Sequence, residues 1–353
     1  MDTQQDTTTA RIALVSFNSL GDSLIYYMLA ENLRQHGYEM TLYGDIAYQL
    51  REWMPQIPVR PYPDFNALDR ELSQYHHAII SPPQALRQRL NGEFLEHVRS
   101  HWQLLCQKAP PTWASEQLKH ERQRVLPGKI FSQLAPLLDC GPSIRFKKFN
   151  DGSSLVDVVV AFMRERMKLT HAQGNVHLTP PPHLVYQRYP RRIIISPDSA
   201  WSDKKDWTPA SFIKTARLLQ QRGYQPVFTV APVSHEKWDV ILKGEFEHAK
   251  FNDIHQLASF VYESGAFIGN DSGGGHLASM LRVPVVTIYR KRNRQFCWRP
   301  AWGKGTVVVP RLVLPWFKGG IWRAFIRPAD ILLALESLLE NQDKTLISGK
   351  DSS

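Results

Sequence analysis

GAFIGNDSGGGHLASMLRVPVVTIY, residues 265–289, is the stretch of this sequence that decides the fold. The apolar run 266–270 predicts a strand, the glycine-rich segment 273–282 predicts a helix, and 283–289 predicts the next strand. A strand, a helix and a second strand in this order are typical of a parallel α/β sheet. The stretch therefore predicts an α/β protein.

The helix of this stretch opens on glycines that favour an anion site. Backbone N–H groups at Gly273 and Gly274 point away from the first turn, and glycine permits the close approach of a phosphate. His276 lies in that turn and can donate to a phosphate or ribose oxygen. The alternative is an ordinary glycine-rich turn in which Asp271 or Ser272 caps the helix.

The same alternation extends towards both ends of the chain. The predicted strands are 11–17, 41–44, 77–80, 191–197 and 225–231, and the further helices are 23–36, 209–223, 252–264 and 327–340. Leu24, Met28, Leu29 and Leu33 share one face of the first helix, which Gly37 ends. Two Rossmann-like α/β halves that meet at a ligand-binding cleft are therefore expected.

The domain limits follow from the breaks in this alternation. A flexible N-terminus is expected at 1–10, a first domain at 11–185, a second at 186–340, and a polar, disordered tail at 341–353. HAQGNVHLTPPPH, residues 171–183, has no periodicity and is the predicted linker.

Composition limits the class of protein. The chain has 353 residues and a formal net charge of +10, which favours anionic ligands such as nucleotides, nucleic acid, phosphorylated glycolipids or an anionic membrane face. Its 3 cysteines include no C-x-x-C pair, so neither a zinc knuckle nor a disulfide scaffold is expected. The polar start is unlike a signal peptide, and no apolar run is long enough to span a bilayer, so a cytoplasmic protein is expected.

Several phosphate-binding motifs are absent from the sequence. It contains no P-loop, no G-x-G-x-x-G after the first strand and no D-x-D, the usual metal-holding motif of nucleotide-sugar enzymes. A bound diphosphate would therefore need helix N-termini and Lys or Arg side chains to neutralise it.

Two further segments carry chemistry. In ISPDSAWSDKKDWTPASF, residues 195–212, a strand leads into a loop with Ser199, Lys204 and Lys205, which is either an anion-binding loop or simply solvated. Thr208 is the predicted N-cap of the next helix, with Pro209 as its first residue.

The other segment follows the first strand. Asp22, in Ser19-Leu20-Gly21-Asp22, lies at the start of the first helix, where it would either act as a general base or cap the helix.

Together these three segments resemble glycosyltransferase family 9, the heptosyltransferases of lipopolysaccharide core assembly. Gly21-Asp22 matches the family's Gly-Asp after strand one, and Pro197 to Pro209 resembles its P-x-S-x-x-x-x-K-x-W-P loop. Gly269 to Ala278 matches its G-N-D-S-G-x-x-H-L-A block, and the resemblance covers about 11–50 and 190–340.

The resemblance implies a GT-B fold of two Rossmann-like domains facing a central cleft. It also implies an inverting, metal-independent transfer of a heptose-like sugar from a nucleotide-diphosphate donor, with ADP favoured, to a lipopolysaccharide core or related anionic glycolipid. The donor-side domain would be the second, and the protein would need no cofactor besides the donor. Contact with the inner face of the membrane would be peripheral.

The resemblance also assigns residues. Asp22 would deprotonate the acceptor hydroxyl, and Lys205, or in its place Lys204, would hold the diphosphate. The remaining donor-binding residues would be Ser199, Glu236, Asp271, Ser272, Gly273, Gly274 and His276. Glu236 would contact the ribose, although an ordinary first-turn helix residue is the alternative there.

One segment departs from the family, and two further segments rich in basic and aromatic residues have more than one interpretation. Arg290 to Arg294 stands where the family has a Gly-Pro-Thr-like turn, and these cations would bind a diphosphate or acidic acceptor or lie in solvent. LPWFKGGIWRAFIR, 314–327, would form a membrane-surface patch or pack where the chain crosses back to the first domain. IRFKKF, 144–149, would bind acceptor phosphates or face solvent.

Three alternative functions remain open at this point. A protein O-heptosyltransferase would keep the fold and change the acceptor. A basic nucleic-acid-binding protein would explain the charge, although no such motif is present and no nucleic-acid partner is expected. A degenerate relative would bind a nucleotide without transfer.

Overall fold

The structure is a computed structural model that describes residues 9–16, 19–64, 67–81, 102–105, 115–146, 152–199, 206–290, 298–312 and 320–350. The chain divides into two units. The first comprises 1–149 with 155–179, and the second comprises 150–154 with 180–353. Each unit holds one sheet that has six strands within the described residues.

The first sheet is parallel throughout, in the order β3-β2-β1-β4-β5-β6. Its strands are β1 (Arg11–Val15), β2 (Glu39–Tyr43), β3 (Val59–Arg60), β4 (His77–Ile80), β5 (Trp102–Leu105) and β6 (Ser143–Ile144). The helices of this unit are α1 (Leu20–Gln35), α2 (Asp45–Gln49), α3 (Leu68–Leu72), α4 (Ser115–Val125), α5 (Gly128–Leu138) and α6 (Leu155–Glu165), with a 3-10 turn at Arg51–Trp53.

The second sheet has the order β9-β8-β7-β10-β11-β12 and is also parallel. Its strands are β7 (Tyr189–Ser196), β8 (Gln225–Thr229), β9 (Glu247–Ala249), β10 (Ser264–Asn270), β11 (Val285–Ile288) and β12 (Gly305–Val308). Its helices are α7 (Pro209–Gln221), α8 (His235–Leu242), α9 (Ile254–Tyr262), α10 (Gly273–Met280) and α11 (Pro328–Lys350), and 3-10 turns occur at Pro232–Ser234 and Ile321–Phe325.

Both sheets therefore have the Rossmann strand order 3-2-1-4-5-6, and the predicted α/β class is confirmed. In each sheet the order reverses between its first and fourth strands, β1 and β4 or β7 and β10. Ligands of open parallel sheets bind beyond the carboxyl ends of the strands at this reversal. The segments that follow β1, β7 and β10 are the ones that the sequence singled out.

The ends of two helices were predicted correctly because their signals are local. Gly37 follows α1 with φ +88°, and Gly223 follows α7 with φ +77°. The left-handed conformation costs a side-chain-bearing residue energy that glycine avoids. Thr208 caps α7, since its Oγ1 accepts the backbone N–H of Ser211 at 3.1 Å, and Pro209 is the first residue of the helix.

Helix α1 is buried on all sides from Ser23 to Leu33, not on the single predicted face. Its outer side is covered by the segment that follows α6 in the same unit. Asn32 Nδ2 donates to the Gln173 carbonyl at 3.0 Å, and the Gln173 N–H donates to Asn32 Oδ1 at 2.8 Å. The Tyr27 hydroxyl donates to the His177 carbonyl at 3.2 Å.

These contacts correct the linker prediction for residues 171–179. Ala172, Val176 and Leu178 are buried, so this irregular segment is part of the first unit rather than a free connection. The absence of periodicity was misleading because backbone irregularity does not prevent single apolar side chains from packing. The chain passes from the first unit to the second between Thr179 and Pro180.

The last helix is longer than predicted. Helix α11 continues to Lys350, into the segment expected to be disordered, because no proline or glycine interrupts it before Gly349. No helix in the described part of the chain combines the length and the apolar composition that crossing a bilayer requires.

Candidate functional site

The carboxyl ends of β7 and β10 lie side by side because Gly269 permits it. Gly269 pairs with Ser196 across the two strands, and a Cβ on Gly269 would stand 2.7 Å from the Ser196 carbonyl oxygen. Any larger residue would push the strands apart at this point. The first glycine of the G-N-D-S-G block thus has a packing role.

The helix that follows β10 begins without a side-chain cap. Ser272 is its N-cap residue in extended conformation (φ −145°, ψ 162°), yet its side chain makes no capping hydrogen bond. Its Oγ is buried and has no hydrogen-bond partner among the described residues. The N–H groups of a first helical turn lack intrahelical partners, and the helix dipole adds partial positive charge there. This start is therefore suited to an anion.

Gly274 lets the same turn pack closely on the sheet. A Cβ there would lie 3.1 Å from the Phe267 ring. Gly273 and Gly274 are half-buried, as is the neighbouring Asp271. Asp271 is oriented by the residue that follows β11, because the hydroxyl of Tyr289 donates to its Oδ1 at 3.2 Å. Burial, followed by the Asp271 carboxylate, raises the pKa of Tyr289, so that residue stays a neutral donor.

Asn270 joins the end of β10 to the loop that follows β7. It is fully buried, its Nδ2 donates to the Pro197 carbonyl at 2.5 Å, and its Oδ1 accepts the Trp207 N–H at 3.1 Å. One side-chain amide therefore closes both ends of the loop 197–207. Sequence reasoning assigned Asn270 no role of its own, because its partners are 73 and 63 residues away in the chain.

The loop itself is described only at its two ends. Lys204 and Lys205, the predicted diphosphate-binding lysines, lie outside the described residues. Ser199 is half-buried next to Asp198. Trp207 is 1% exposed, and its Nε1 donates to the Arg323 carbonyl at 3.1 Å. The buried indole fixes the position at which the loop ends.

A cavity of about 260 Å³ opens beside this loop. Its charged lining residues are Asp198, Asp206, Lys237 and Arg323. Asp198 is held by the Trp238 indole N–H at 3.1 Å and by the Ala231 N–H at 3.3 Å. Arg323 donates from Nε to the Asp206 carbonyl at 2.6 Å. The lining of the cavity therefore carries both cationic and anionic side chains.

Asp206 is the titrating group of this cavity. Burial raises its pKa to about 6; a hydrogen bond with Ser199 opposes the shift, and the Asp198 carboxylate adds to it. Its Oδ1 is buried and has no hydrogen-bond partner in the described part of the chain. Asp206, Lys237 and Arg323 were not predicted as site residues, because no motif marks them.

Glu236 and His276 differ in their exposure to solvent. Glu236 is exposed in the first turn of α8, and its neighbour Lys237 is the residue that lines the cavity. His276 is 1% exposed, and its ring stacks on Trp298 with 4.0 Å between the centroids. In this structure His276 is a packed residue of the helix, since aromatic neighbours cover the ring.

In the first unit, Asp22 lies at the carboxyl end of β1. Ser19, not Asp22, is the N-cap of α1: its Oγ accepts the Asp22 N–H at 3.4 Å, and its hydroxyl donates to Asp22 Oδ2 at 2.6 Å. The side chain of Asp22 is half-buried. The hydroxyl therefore orients the carboxylate at the position in the sheet where ligands are expected.

The other basic segments that the sequence singled out are described only in part. The cations at 291–294 and the residues Trp316 to Lys318 lie outside the described residues. Trp322 is 2% exposed in the core of the second unit, among residues such as Trp207 and Phe212. This part of 314–327 therefore packs inside the protein, and the membrane-surface interpretation is wrong for Trp322. In 144–149, Ile144 is buried in β6, Arg145 is exposed, and 147–149 lie outside the described residues.

Comparison with known proteins gives the same family. The profile of glycosyltransferase family 9 (heptosyltransferase) matches residues 167–311. Lipopolysaccharide heptosyltransferase 3 of Escherichia coli K12 is 24% identical over 302 residues, which cover 79% of this chain and 82% of that protein. The chain is heptosyltransferase-like, and its residues 167–311 match glycosyltransferase family 9. It is therefore an enzyme that transfers a glycosyl group.

Solved structures show the same fold for this heptosyltransferase-like chain. ADP-heptose lipopolysaccharide heptosyltransferase II of Escherichia coli superposes with a TM-score of 0.65 at 17% identity, covering 94% of this chain and 99% of that one. A family 9 glycosyltransferase from Veillonella parvula gives 0.63 at 17% identity, covering 94% and 98%. The two-domain GT-B fold is thus confirmed.

No group of three or more His, Cys, Asp or Glu side chains within the described ranges is arranged to hold a metal ion.

Proposed function

We propose that this enzyme transfers a heptose-like sugar from ADP-heptose to a lipopolysaccharide core or related anionic glycolipid. The observation that carries the proposal is the uncapped, glycine-rich start of α10 at the point where the second sheet reverses its strand order. The names of the similar proteins support the sugar and the acceptor, since they are lipopolysaccharide heptosyltransferases and one is named for ADP-heptose.

The donor diphosphate binds at the start of α10 in this proposal. Ser272, Gly273 and Gly274 supply the unpartnered Oγ and the N–H groups of the first turn. Lys205 of the neighbouring loop, or Lys204 in its place, supplies the compensating positive charge. We assign the neutralisation of the diphosphate to these groups and not to a metal ion. His276 is buried, and in this proposal it supports the first turn of α10 from the protein interior.

Asp22 is the general base of the proposed transfer. Its carboxylate takes the proton of an acceptor hydroxyl as that oxygen attacks the anomeric carbon. The bond from the anomeric carbon to the diphosphate oxygen breaks on the opposite side, which inverts the configuration, and the nucleoside diphosphate leaves with the bonding electron pair. The Ser19 hydroxyl holds the carboxylate in place, since it donates to Oδ2.

The base is tested by Asp22→Asn and the matched control Ser19→Ala. Release of ADP from ADP-heptose is measured with a truncated lipopolysaccharide core as acceptor. Asp22→Asn should fold and bind donor but lose about 10²-fold or more in transfer rate, the usual contribution of a general base. Ser19→Ala keeps the carboxylate and should lose far less. Substantial transfer by Asp22→Asn would remove this residue from the role of base.

The donor is tested by thermal unfolding with ADP, UDP and GDP, each with EDTA and with Mg²⁺. The midpoint should rise with ADP and be unchanged by EDTA, because the proposed diphosphate site uses N–H groups and lysines. A rise with UDP or GDP but not with ADP would reject adenine as the nucleobase of the donor. An ADP effect that requires Mg²⁺ would reject the metal-independent site.

A further inference from the structure

A second cavity, of about 400 Å³, lies in the first unit and is separate from the candidate site. Strand β6 and the residues just before and after it form one wall, and helix α6 forms the other. The lining side chains that matter for its chemistry are Cys140, Arg145, Val158, Phe162, Glu165 and Arg166. None of the proposed catalytic or donor-binding residues lines it.

The position of the cavity follows from the sheet order. Strand β6 is the edge strand, three places from β1, after which Asp22 lies. Neighbouring strands are about 4.8 Å apart, so this wall is about 14 Å from β1 across the sheet. Cys140 precedes β6 and Arg145 follows it, and Asp22 is not among the residues that line the cavity. The cavity is therefore not a part of the site around Asp22.

The two arginines give this cavity its charge. Arg145 and Arg166 are both exposed, and within the described residues neither guanidinium makes a hydrogen bond or an ion pair. The single carboxylate of the lining, Glu165, offsets one of the two positive charges. Two unpaired guanidinium groups, one from each wall, match an anion that offers several oxygens, because each guanidinium presents a fork of N–H donors.

The lining also has an apolar part. Val158 and Phe162 are one helical turn apart on α6 and so share a face. The Phe162 ring is fixed by an edge-to-face contact with Phe146, with 5.3 Å between the centroids. Burial raises the pKa of the Cys140 thiol to about 11, so this group is neutral at pH 7. The cavity thus combines two arginines and one carboxylate with an apolar patch.

We propose that this cavity binds a sugar phosphomonoester, with the phosphate on Arg145 and Arg166 and the sugar carbons against Phe162 and Val158. A phosphomonoester carries between one and two negative charges at pH 7 and three acceptor oxygens, which suits two guanidinium groups better than a carboxylate does. The volume lies at the lower end of the range of small-molecule pockets, so the ligand is of monosaccharide size. Its source is either a free sugar phosphate or the phosphorylated headgroup of a glycolipid.

Calorimetry on the full chain, saturated with ADP to occupy the donor site, tests the ligand class. The probes are glucose 6-phosphate, glucose, glucuronate and inorganic phosphate. Glucose 6-phosphate should bind, and the other three should bind at least about tenfold more weakly, because each lacks the sugar, the phosphate or the second charge. Equal binding of glucuronate, or no binding of glucose 6-phosphate with or without ADP, would overturn the proposal.

A double variant tests the position. Arg145→Gln/Arg166→Gln should weaken the binding of glucose 6-phosphate by about tenfold or more, since two charge-assisted contacts are lost. The control Arg124→Gln/Lys129→Gln removes two exposed charges from α4 and α5 of the same unit and should bind as the wild type does. Equal weakening in both variants would show that net charge alone attracts the probe and would reject the site.

Alkylation of Cys140 gives a second readout that does not depend on transfer activity. Iodoacetamide labelling is quantified by mass spectrometry, with Cys106 and Cys297 as internal references. Glucose 6-phosphate should slow the labelling of Cys140 in the wild type but not in the double arginine variant. The same protection by vesicles of phosphatidylcholine with a phosphorylated glycolipid, and not by free glucose 6-phosphate, would assign the headgroup as the source. Protection by neither would contradict the proposal.

Discussion

Asn270 shows how much one side chain contributes to the candidate site. Its amide accepts the Trp207 N–H and donates to the Pro197 carbonyl, so it holds the two ends of a loop that contains both candidate lysines. The amide is fully buried, and a buried group that loses its partner incurs its full desolvation cost. The residue is needed for its geometry, although it contacts no substrate in the proposed reaction.

Asn270→Asp should be strongly destabilising. A carboxylate cannot donate to the Pro197 carbonyl, and it would place a buried negative charge beside that oxygen. We expect a loss of about 2–4 kcal/mol in the free energy of unfolding, measured in urea. Asn252→Asp, at an exposed position of the same unit, is the control and should stay within about 0.5 kcal/mol of the wild type. Similar losses in both would contradict this role of Asn270.

Asp206 makes the stability of the second unit depend on pH. Its pKa is 3.8 in the absence of the fold and about 6 in the structure, so protonation favours the folded state. The stabilisation is fully present below about pH 3.8 and is lost as the pH rises through about 6. Because the carboxyl is only partly buried, solvent screening reduces the effect to about 1 kcal/mol.

Asp206→Asn should therefore be more stable than the wild type at pH 8 and equal to it at pH 4. Urea unfolding at the two pH values measures this difference. Glu236→Gln, which also removes one carboxyl from the second unit, is the control for the loss of a negative charge. A constant difference between Asp206→Asn and the wild type would contradict the raised pKa.

At the scale of elements, two helices of the second unit begin in opposite ways. Helix α7 is closed by Thr208, whose side chain accepts an N–H of the first turn, whereas α10 has Ser272 at the same position without such a bond. A helix start without a cap costs stability, and it leaves N–H groups available to a ligand. This difference separates a structural helix start from the proposed diphosphate site.

Thr208→Ala and Ser272→Ala should consequently differ in their effect on stability. Loss of a functioning N-cap costs about 1 kcal/mol, so Thr208→Ala should lower the free energy of unfolding by that amount. Ser272→Ala should cost only a few tenths of a kcal/mol, because no capping bond is lost. Urea unfolding without ligand measures both. A full capping loss in Ser272→Ala would show that α10 is capped in solution.

At the scale of the whole molecule, the candidate site residues are distributed over two units that have the same strand order. The G-N-D-S-G block and the loop after β7 belong to the second unit, and Asp22 belongs to the first. A ligand that binds only the folded form stabilises the part of the protein that it contacts. In the proposed reaction, the donor site and the general base therefore belong to different units.

Hydrogen exchange with ADP tests this division. Peptides from the end of β10 and the start of α10 should exchange more slowly when ADP is bound, whereas peptides from β4 and β5 should not change. Asp271→Asn should remove the protection of β10 and α10. Protection of β4 and β5 as strong as that of α10 would place the nucleotide in the first unit and contradict the assignment.

The sequence by itself determined the class of fold, most of the strands and the ends of α1 and α7. Their signals lie within a few residues: apolar runs, a threonine-proline helix start, and glycines that adopt positive φ. It also located the glycine-rich turn after β10. Only the tertiary structure decided which of these side chains are buried and which partners they contact. Asn270 reaches across 63 residues to Trp207, Trp207 reaches across 116 to Arg323, and aromatic rings cover His276. Such partners meet because the sheet brings distant strands together, and no local pattern records that.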